Sequence, residues 1–62
     1  MMCEAKVYLK KDEELELLME DCISIIPEGN KLILRDILGK SEVVEGKILE
    51  VELLDHKVIL TK

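Results

Sequence analysis

Turn-forming residues interrupt this 62-residue chain at short and regular intervals. The runs between them are rich in aliphatic and β-branched side chains, and the breaks fall at residues 10–13, 27–30, 39–41, 45–46 and 55–57. Interruptions at this spacing are typical of short strands joined by tight turns. The spacing therefore predicts an all-β domain that spans residues 1–62.

Two hairpins are the clearest local units. The run at 22–26 meets a proline and a glycine before alternation resumes at 32–35, which is a strong hairpin pattern. Near the C-terminus, apolar residues alternate with glutamates over 49–53, and a second apolar run follows a turn at 58–60. Two further strands are expected at 5–9 and 43–44.

Residues 14–22 fit two interpretations. Apolar side chains starting at Leu15 recur at i, i+3, i+4 and i+7, which is helical spacing, but Leu15, Leu17 and Met19 equally fit one face of a strand. We favour a strand, because the segment lies directly between a predicted strand and a β-branched run. Five to six short antiparallel strands would then close into a small barrel of SH3-like size, since closure removes exposed sheet edges.

The composition implies a thin core. Hydrophobic residues make up 48% of the chain, but Tyr8 is the only aromatic residue, so the apolar content is almost entirely aliphatic. A chain this short buries only about 60% of the surface that its unfolded form exposes. Small domains compensate with disulfides, a metal or a second copy, and only two cysteines are present. We therefore expect a homodimer.

The charge balance limits the choice of partners. With 14 acidic and 9 basic side chains, the formal net charge is −5. Such a surface repels nucleic-acid phosphates and anionic lipid headgroups, so neither nucleic acid nor a membrane is expected as a partner. The sequence contains no long apolar segment and no signal-peptide pattern, which predicts a cytoplasmic protein with reduced thiols.

No combination of residues favours catalysis. The single histidine, His56, falls in a predicted hairpin turn, where a solvated side chain is the ordinary expectation. The carboxylates at 12–14 and 20–21 lie beside breaks and are typical of solubilising charges. The three glycines each stand alone, so there is no phosphate-binding loop. We expect that the chain is not an enzyme.

The two cysteines differ in their surroundings. Cys22 begins an apolar run and is expected to be a small buried hydrophobe. Cys3 lies next to Glu4 near the chain start, where a thiolate can form without burial of its charge. Sulfur and nitrogen donors favour Ni(II) or Cu(II) over Mg²⁺ or Ca²⁺. One cysteine is an incomplete site, but a symmetric dimer would bring two copies of Cys3 together.

Four segments of the sequence resemble the CooT family of small nickel-binding proteins. They are residues 2–9 (MCEAKVYL), 27–32 (PEGNKL), 44–48 (VEGKI) and 53–58 (LLDHKV). The resemblance implies an all-β homodimer with a Ni(II) site at the dimer interface, in which Cys3 is the metal ligand. It also implies an accessory role in nickel handling, with carbon monoxide dehydrogenase as the client enzyme.

One departure from the family pattern concerns the start of the chain. This sequence begins Met1-Met2-Cys3, whereas the family has a single methionine before the cysteine. Retention of Met1 would remove the amine of Cys3 from the possible ligands. The alternative function is a small β-barrel interaction module without a metal, for which RNA binding has been suggested in similar sequences. The acidic charge and the presence of only one aromatic residue, Tyr8, argue against RNA.

Overall fold

The computed structural model describes residues 4–62, and all regular structure in this part of the chain is β-strand. The six strands are β1 (Ala5–Lys11), β2 (Glu14–Glu28), β3 (Lys31–Asp36), β4 (Ser41–Glu45), β5 (Lys47–Glu52) and β6 (Lys57–Thr61). The all-β prediction is confirmed. Residues 14–22 belong to the 15-residue strand β2, so the strand interpretation of this segment is also confirmed.

Both predicted hairpins are present. β2 pairs with β3 up to Glu28 opposite Lys31, which leaves a two-residue turn at 29–30. The turn is shorter than the predicted one, because the ladder continues through Pro27. Proline has no N–H to donate to a neighbouring strand. Pro27 nevertheless fits in β2, because β1 pairs with β2 only as far as Cys22 and does not reach the proline. The second hairpin joins β5 and β6 through residues 53–56.

The strands form a single sheet in the order β4-β3-β2-β1-β6-β5. The prediction of exclusively antiparallel strands is wrong in one place, because β6 pairs with β1 in parallel, with Val7 opposite Val58 and Leu9 opposite Leu60. Turn residues determine the direction of neighbouring strands in a hairpin. Turn residues carry no information about two strands at opposite ends of the chain. Local sequence patterns therefore could not reveal the parallel pairing of β1 with β6.

The two edge strands of the sheet are joined at one end only, through Gly46. β4 and β5 lie at opposite ends of the strand order, yet only Gly46 separates them in the chain. The Gly46 N–H donates to the carbonyl of Asn30 at 3.0 Å, which fixes the meeting point. No ladder joins β4 to β5 among residues 4–62, so the sheet is open but barrel-like.

One aliphatic cluster on the inner face of the sheet forms the core. Its buried members are Val7, Leu9, Met19, Cys22, Leu32, Leu34, Val58 and Leu60. The largest fully buried side chains are Leu34, Leu60 and Val7, which come from three different strands. Within residues 4–62, no helix is long and apolar enough to cross a membrane.

Candidate metal centre

The predicted ligand Cys3 lies outside the described residues, so its role stays a prediction. The described chain begins at Glu4, which is half-buried, and β1 starts at the next residue, Ala5. The structure therefore shows what surrounds Glu4 and the start of β1, the residues that directly follow Cys3 in the sequence.

The start of β1 contacts elements from both sides of the sheet. Ala5 lies opposite Cys22 in the antiparallel ladder with β2. On the other side, the Lys6 N–H donates to the carbonyl of His56 at 2.9 Å. Parallel strands begin at the same end of a sheet, so the turn that precedes β6 lies beside the start of β1. Residues distant in sequence thus surround the attachment point of Cys3.

The turn between β5 and β6 holds His56 in a defined backbone conformation. Its φ of 52° lies in the left-handed region, which non-glycine residues adopt uncommonly but histidine more often than most. The His56 N–H donates to the carbonyl of Leu53 at 3.3 Å, and its own carbonyl accepts the bond from Lys6. The predicted exposure of His56 is confirmed, whereas its position next to β1 could not be foreseen from a strictly antiparallel arrangement.

Two shallow clefts open at this position, and both include Glu4, His56 and Lys57 among their lining residues. The first has a volume of about 260 Å³ and is mainly apolar, with Cys22, Ile25 and Val58 in its wall. The second has a volume of about 400 Å³ and is polar. Its remaining lining residues are Lys6, Tyr8, Glu20, Asp21 and Asp55.

Lys57 places a positive charge at this end of the sheet. Its Nζ lies 3.4 Å from a carboxylate oxygen of Glu52 and 5.9 Å from the centre of the Tyr8 ring. Both partners of the ion pair are partly shielded from solvent. The carboxylate therefore offsets part of the lysine charge next to Glu4 and His56.

Cys22 has the environment of a structural residue. It is 4% exposed, and its thiol donates to the carbonyl of Ser24 at 3.3 Å. Burial raises the pKa of this thiol, because the charged thiolate would lose its hydration. A thiol that resists ionisation is a poor metal ligand. The expectation that Cys22 is a small buried hydrophobe is confirmed.

The part of the chain from Glu4 onward contains no group of three histidine, cysteine, aspartate or glutamate residues placed to hold a metal. Glu4 and His56 are potential donors that line both clefts beside the start of β1, and sequence reasoning did not bring them together. One sequence signal could have placed His56 beside β1. The apolar run at 58–60 is continuous, which is typical of a strand buried in the middle of a sheet.

Comparison with known proteins identifies the family. The family model described as CO dehydrogenase accessory protein CooT matches residues 2–61. An uncharacterized protein of Archaeoglobus fulgidus is 45% identical over 42 residues, which covers 68% of this chain and 93% of that protein.

A solved structure supports the same assignment. The crystal structure of a CooT candidate from Carboxydothermus hydrogenoformans superimposes with a TM-score of 0.90 at 33% sequence identity. The match covers 97% of each chain, so all six strands of the described fold fall within it. The family model and the fold agree over nearly the whole chain. The protein belongs to the CooT family of carbon monoxide dehydrogenase accessory proteins.

Proposed function

We propose that this protein binds Ni(II) through the Cys3 thiolate and handles nickel for a carbon monoxide dehydrogenase. The observation that supports the proposal most directly is the family match, because it extends over residues 2–61 and therefore includes Cys3. An accessory protein of this kind supplies a metal to a client enzyme and performs no reaction itself.

The donor chemistry fits nickel. A thiolate together with nitrogen donors forms the kind of set that Ni(II) prefers, in square-planar or tetragonal geometry. The backbone of Cys3 supplies nitrogen, and the exposed His56 lies beside the start of β1, the strand that follows Cys3 in the sequence. Because residues 4–62 hold no complete ligand group, the metal depends on Cys3.

A second copy of the chain would complete the site. One thiolate per chain leaves the coordination of Ni(II) unfilled, whereas a two-fold axis close to Cys3 doubles every donor. The thin core gives a separate reason for association, since many aliphatic side chains stay exposed, among them Leu53 at 79% and Leu54 at 97%. We therefore propose a homodimer that binds one nickel ion at its interface.

The test is a titration of the reduced protein with NiCl₂, followed by ultraviolet absorption and by sedimentation equilibrium. Thiolate-to-nickel charge-transfer bands that saturate near one metal per two chains are the expected result. The Cys3→Ser variant should lose the bands and keep its fold. Cys22→Ser is the matched control, because it should retain the bands and lose stability by about 1–3 kcal/mol from a hydroxyl in an apolar site.

The contribution of the Cys3 amine requires a second comparison. Protein translated from Met2 loses that methionine and exposes the amine, whereas protein that retains Met1 does not. Tighter nickel binding by the shorter form would identify the amine as a ligand. Absence of bands in both forms would overturn the nickel proposal, and salt-sensitive RNA binding would then favour the interaction-module alternative.

A further inference from the structure

The two edges of the sheet differ in how well they are protected against pairing with another strand. β5 pairs irregularly with β6 between Ile48 and Glu50, and it begins with Lys47. Bulges and lysines are common devices that prevent strand addition at an edge. β4 has neither, because all five of its residues pair in regular register with β3 and none is lysine or proline. In the described part of the chain, β4 is therefore the edge with the more regular backbone.

An aliphatic row leads across the outer face of the sheet to this edge. Ile26 lies opposite Ile33, and Ile33 lies opposite Val43, so the three side chains share one face. Ile26 is 50% exposed and Val43 is 63% exposed. The row ends at β4, where a further strand would place its own side chain next to Val43.

The charges on β4 define the chemistry of a partner. Its two charged residues, Glu42 and Glu45, are both acidic and exposed. Val43 and Glu45 face outward, and Glu42 and Val44 face the other side. The last four positions of β4, residues 42–45, therefore read acidic, aliphatic, aliphatic, acidic. An added strand complements them when it reads basic, aliphatic, aliphatic, basic, and this pattern fits in either strand direction.

The same charges argue against a second copy of this chain at β4. Pairing of two β4 strands would bring together four carboxylates and no basic residue from the strands themselves. Like charges on neighbouring strands destabilise a sheet. Each copy also carries a net charge of −5. A basic segment would instead be attracted both by the carboxylates of β4 and by the net negative charge of the chain.

We propose that β4 is a docking edge for an extended, basic segment of a partner protein, which adds to the sheet as a seventh strand. Backbone hydrogen bonds along Ser41–Glu45 supply the general affinity of strand addition. An aliphatic side chain of the partner extends the row beyond Val43, and lysine or arginine residues pair with Glu42 and Glu45. This surface goes beyond the nickel proposal and does not use Cys3.

A synthetic hexapeptide provides the probe: acetyl-Thr-Lys-Val-Val-Lys-Thr-amide. The host protein is the Cys3→Ser variant, so that metal binding plays no part in the result. Amide shifts in two-dimensional NMR should be largest at residues 41–45 and saturate in about the millimolar range, because the peptide is short and flexible. The affinity should fall as the salt concentration rises.

Val43→Lys tests the edge directly, and Leu49→Lys on β5 is its matched control. Both positions are exposed, at 63% and 50%, so both variants should keep the fold, which circular dichroism checks. We expect about fivefold weaker peptide binding or worse in Val43→Lys, and unchanged binding in Leu49→Lys. Equal effects of the two substitutions would overturn the proposal.

Two control peptides separate strand addition from general charge attraction. A peptide with both lysines replaced by glutamate, and one with both valines N-methylated, should each fail to bind. Binding of either at the original affinity would overturn the proposal, as would absence of saturable shifts with the original peptide. Self-association of the protein alone that disappears in Val43→Lys would instead assign the edge to a second copy.

Discussion

At Gly46 the chain passes from one edge of the sheet to the other within a single residue. Its φ of +146° lies in the region that favours glycine. A Cβ placed there would lie 2.5 Å from the carbonyl oxygen of Thr61, at the end of the neighbouring strand β6. Because that oxygen belongs to backbone, the contact cannot be relieved by rotation of a side chain. The meeting of the two edges therefore depends on the missing side chain.

Gly46→Ala should lower the free energy of unfolding by about 1–3 kcal/mol, from the steric contact and the strained backbone together. Gly39→Ala is the control, since Gly39 also has a positive φ of +92°, but a Cβ added to it would meet no atom within 4 Å. Its loss should be smaller, about 1 kcal/mol, because only the backbone strain remains. Urea unfolding followed by circular dichroism measures both. Equal losses would show that contact with Thr61 is unimportant.

The two cysteines show what a single residue type can and cannot reveal. The apolar neighbours of Cys22 were sufficient to predict its burial, and the structure confirms it. The proposed role of Cys3 concerns a place where other elements meet the start of β1, as His56 does through its bond with Lys6. No pattern within a few residues of Cys3 contains that information.

At the scale of whole elements, local hairpins were predictable and the distant pairing was not. The β2–β3 and β5–β6 hairpins follow from alternation interrupted by turn residues, whose effect extends over a few positions. The parallel pairing of β1 with β6 joins Lys6 to Lys57 across most of the chain. No turn joins these two strands directly, so local turn signals do not set the direction of their pairing.

The connection between β3 and β4 depends on one carboxylate. Asp36 Oδ1 accepts hydrogen bonds from the N–H groups of Leu38 and Lys40, both at 2.9 Å. The backbone of Asp36 also donates to the carbonyl of Lys40 at 2.9 Å. These bonds close the loop, in which Leu38 is 82% exposed.

Asp36→Ala should therefore cost about 1–3 kcal/mol in the free energy of unfolding, because two backbone donors lose their acceptor. Asp36→Asn keeps an acceptor oxygen and should lose less. Amide hydrogen exchange of Leu38 and Lys40 should accelerate in the alanine variant before exchange in β2 changes. If exchange in the loop stayed as slow as in the original protein, the side-chain bonds would not be what orders it.

For the whole molecule, β6 is the strand that joins β5 to the other four strands of the sheet. It pairs with β1 on one side and β5 on the other, and it contributes three consecutive buried residues, Val58, Ile59 and Leu60. Burial of each such side chain stabilises the fold by about 1.5–3 kcal/mol. A domain of this length has a total stability of roughly 3–9 kcal/mol, at about 0.05–0.15 kcal/mol per residue. The burial of the three β6 side chains therefore contributes a free energy comparable to the total stability of the domain.

A chain that ends at His56 should consequently be unfolded, although it retains the complete β2–β3 hairpin and β4. Removal of β6 leaves β5 without a strand to pair with and exposes Val7 and Leu9 on β1. Amide dispersion in NMR and the strand signal in circular dichroism should both be lost. Removal of Lys62 alone is the control and should change stability by less than about 0.5 kcal/mol, since that side chain is exposed. A shortened chain that kept dispersed resonances for β1–β4 would mean that these strands fold independently, and that the parallel pair is an addition to the core instead of its centre.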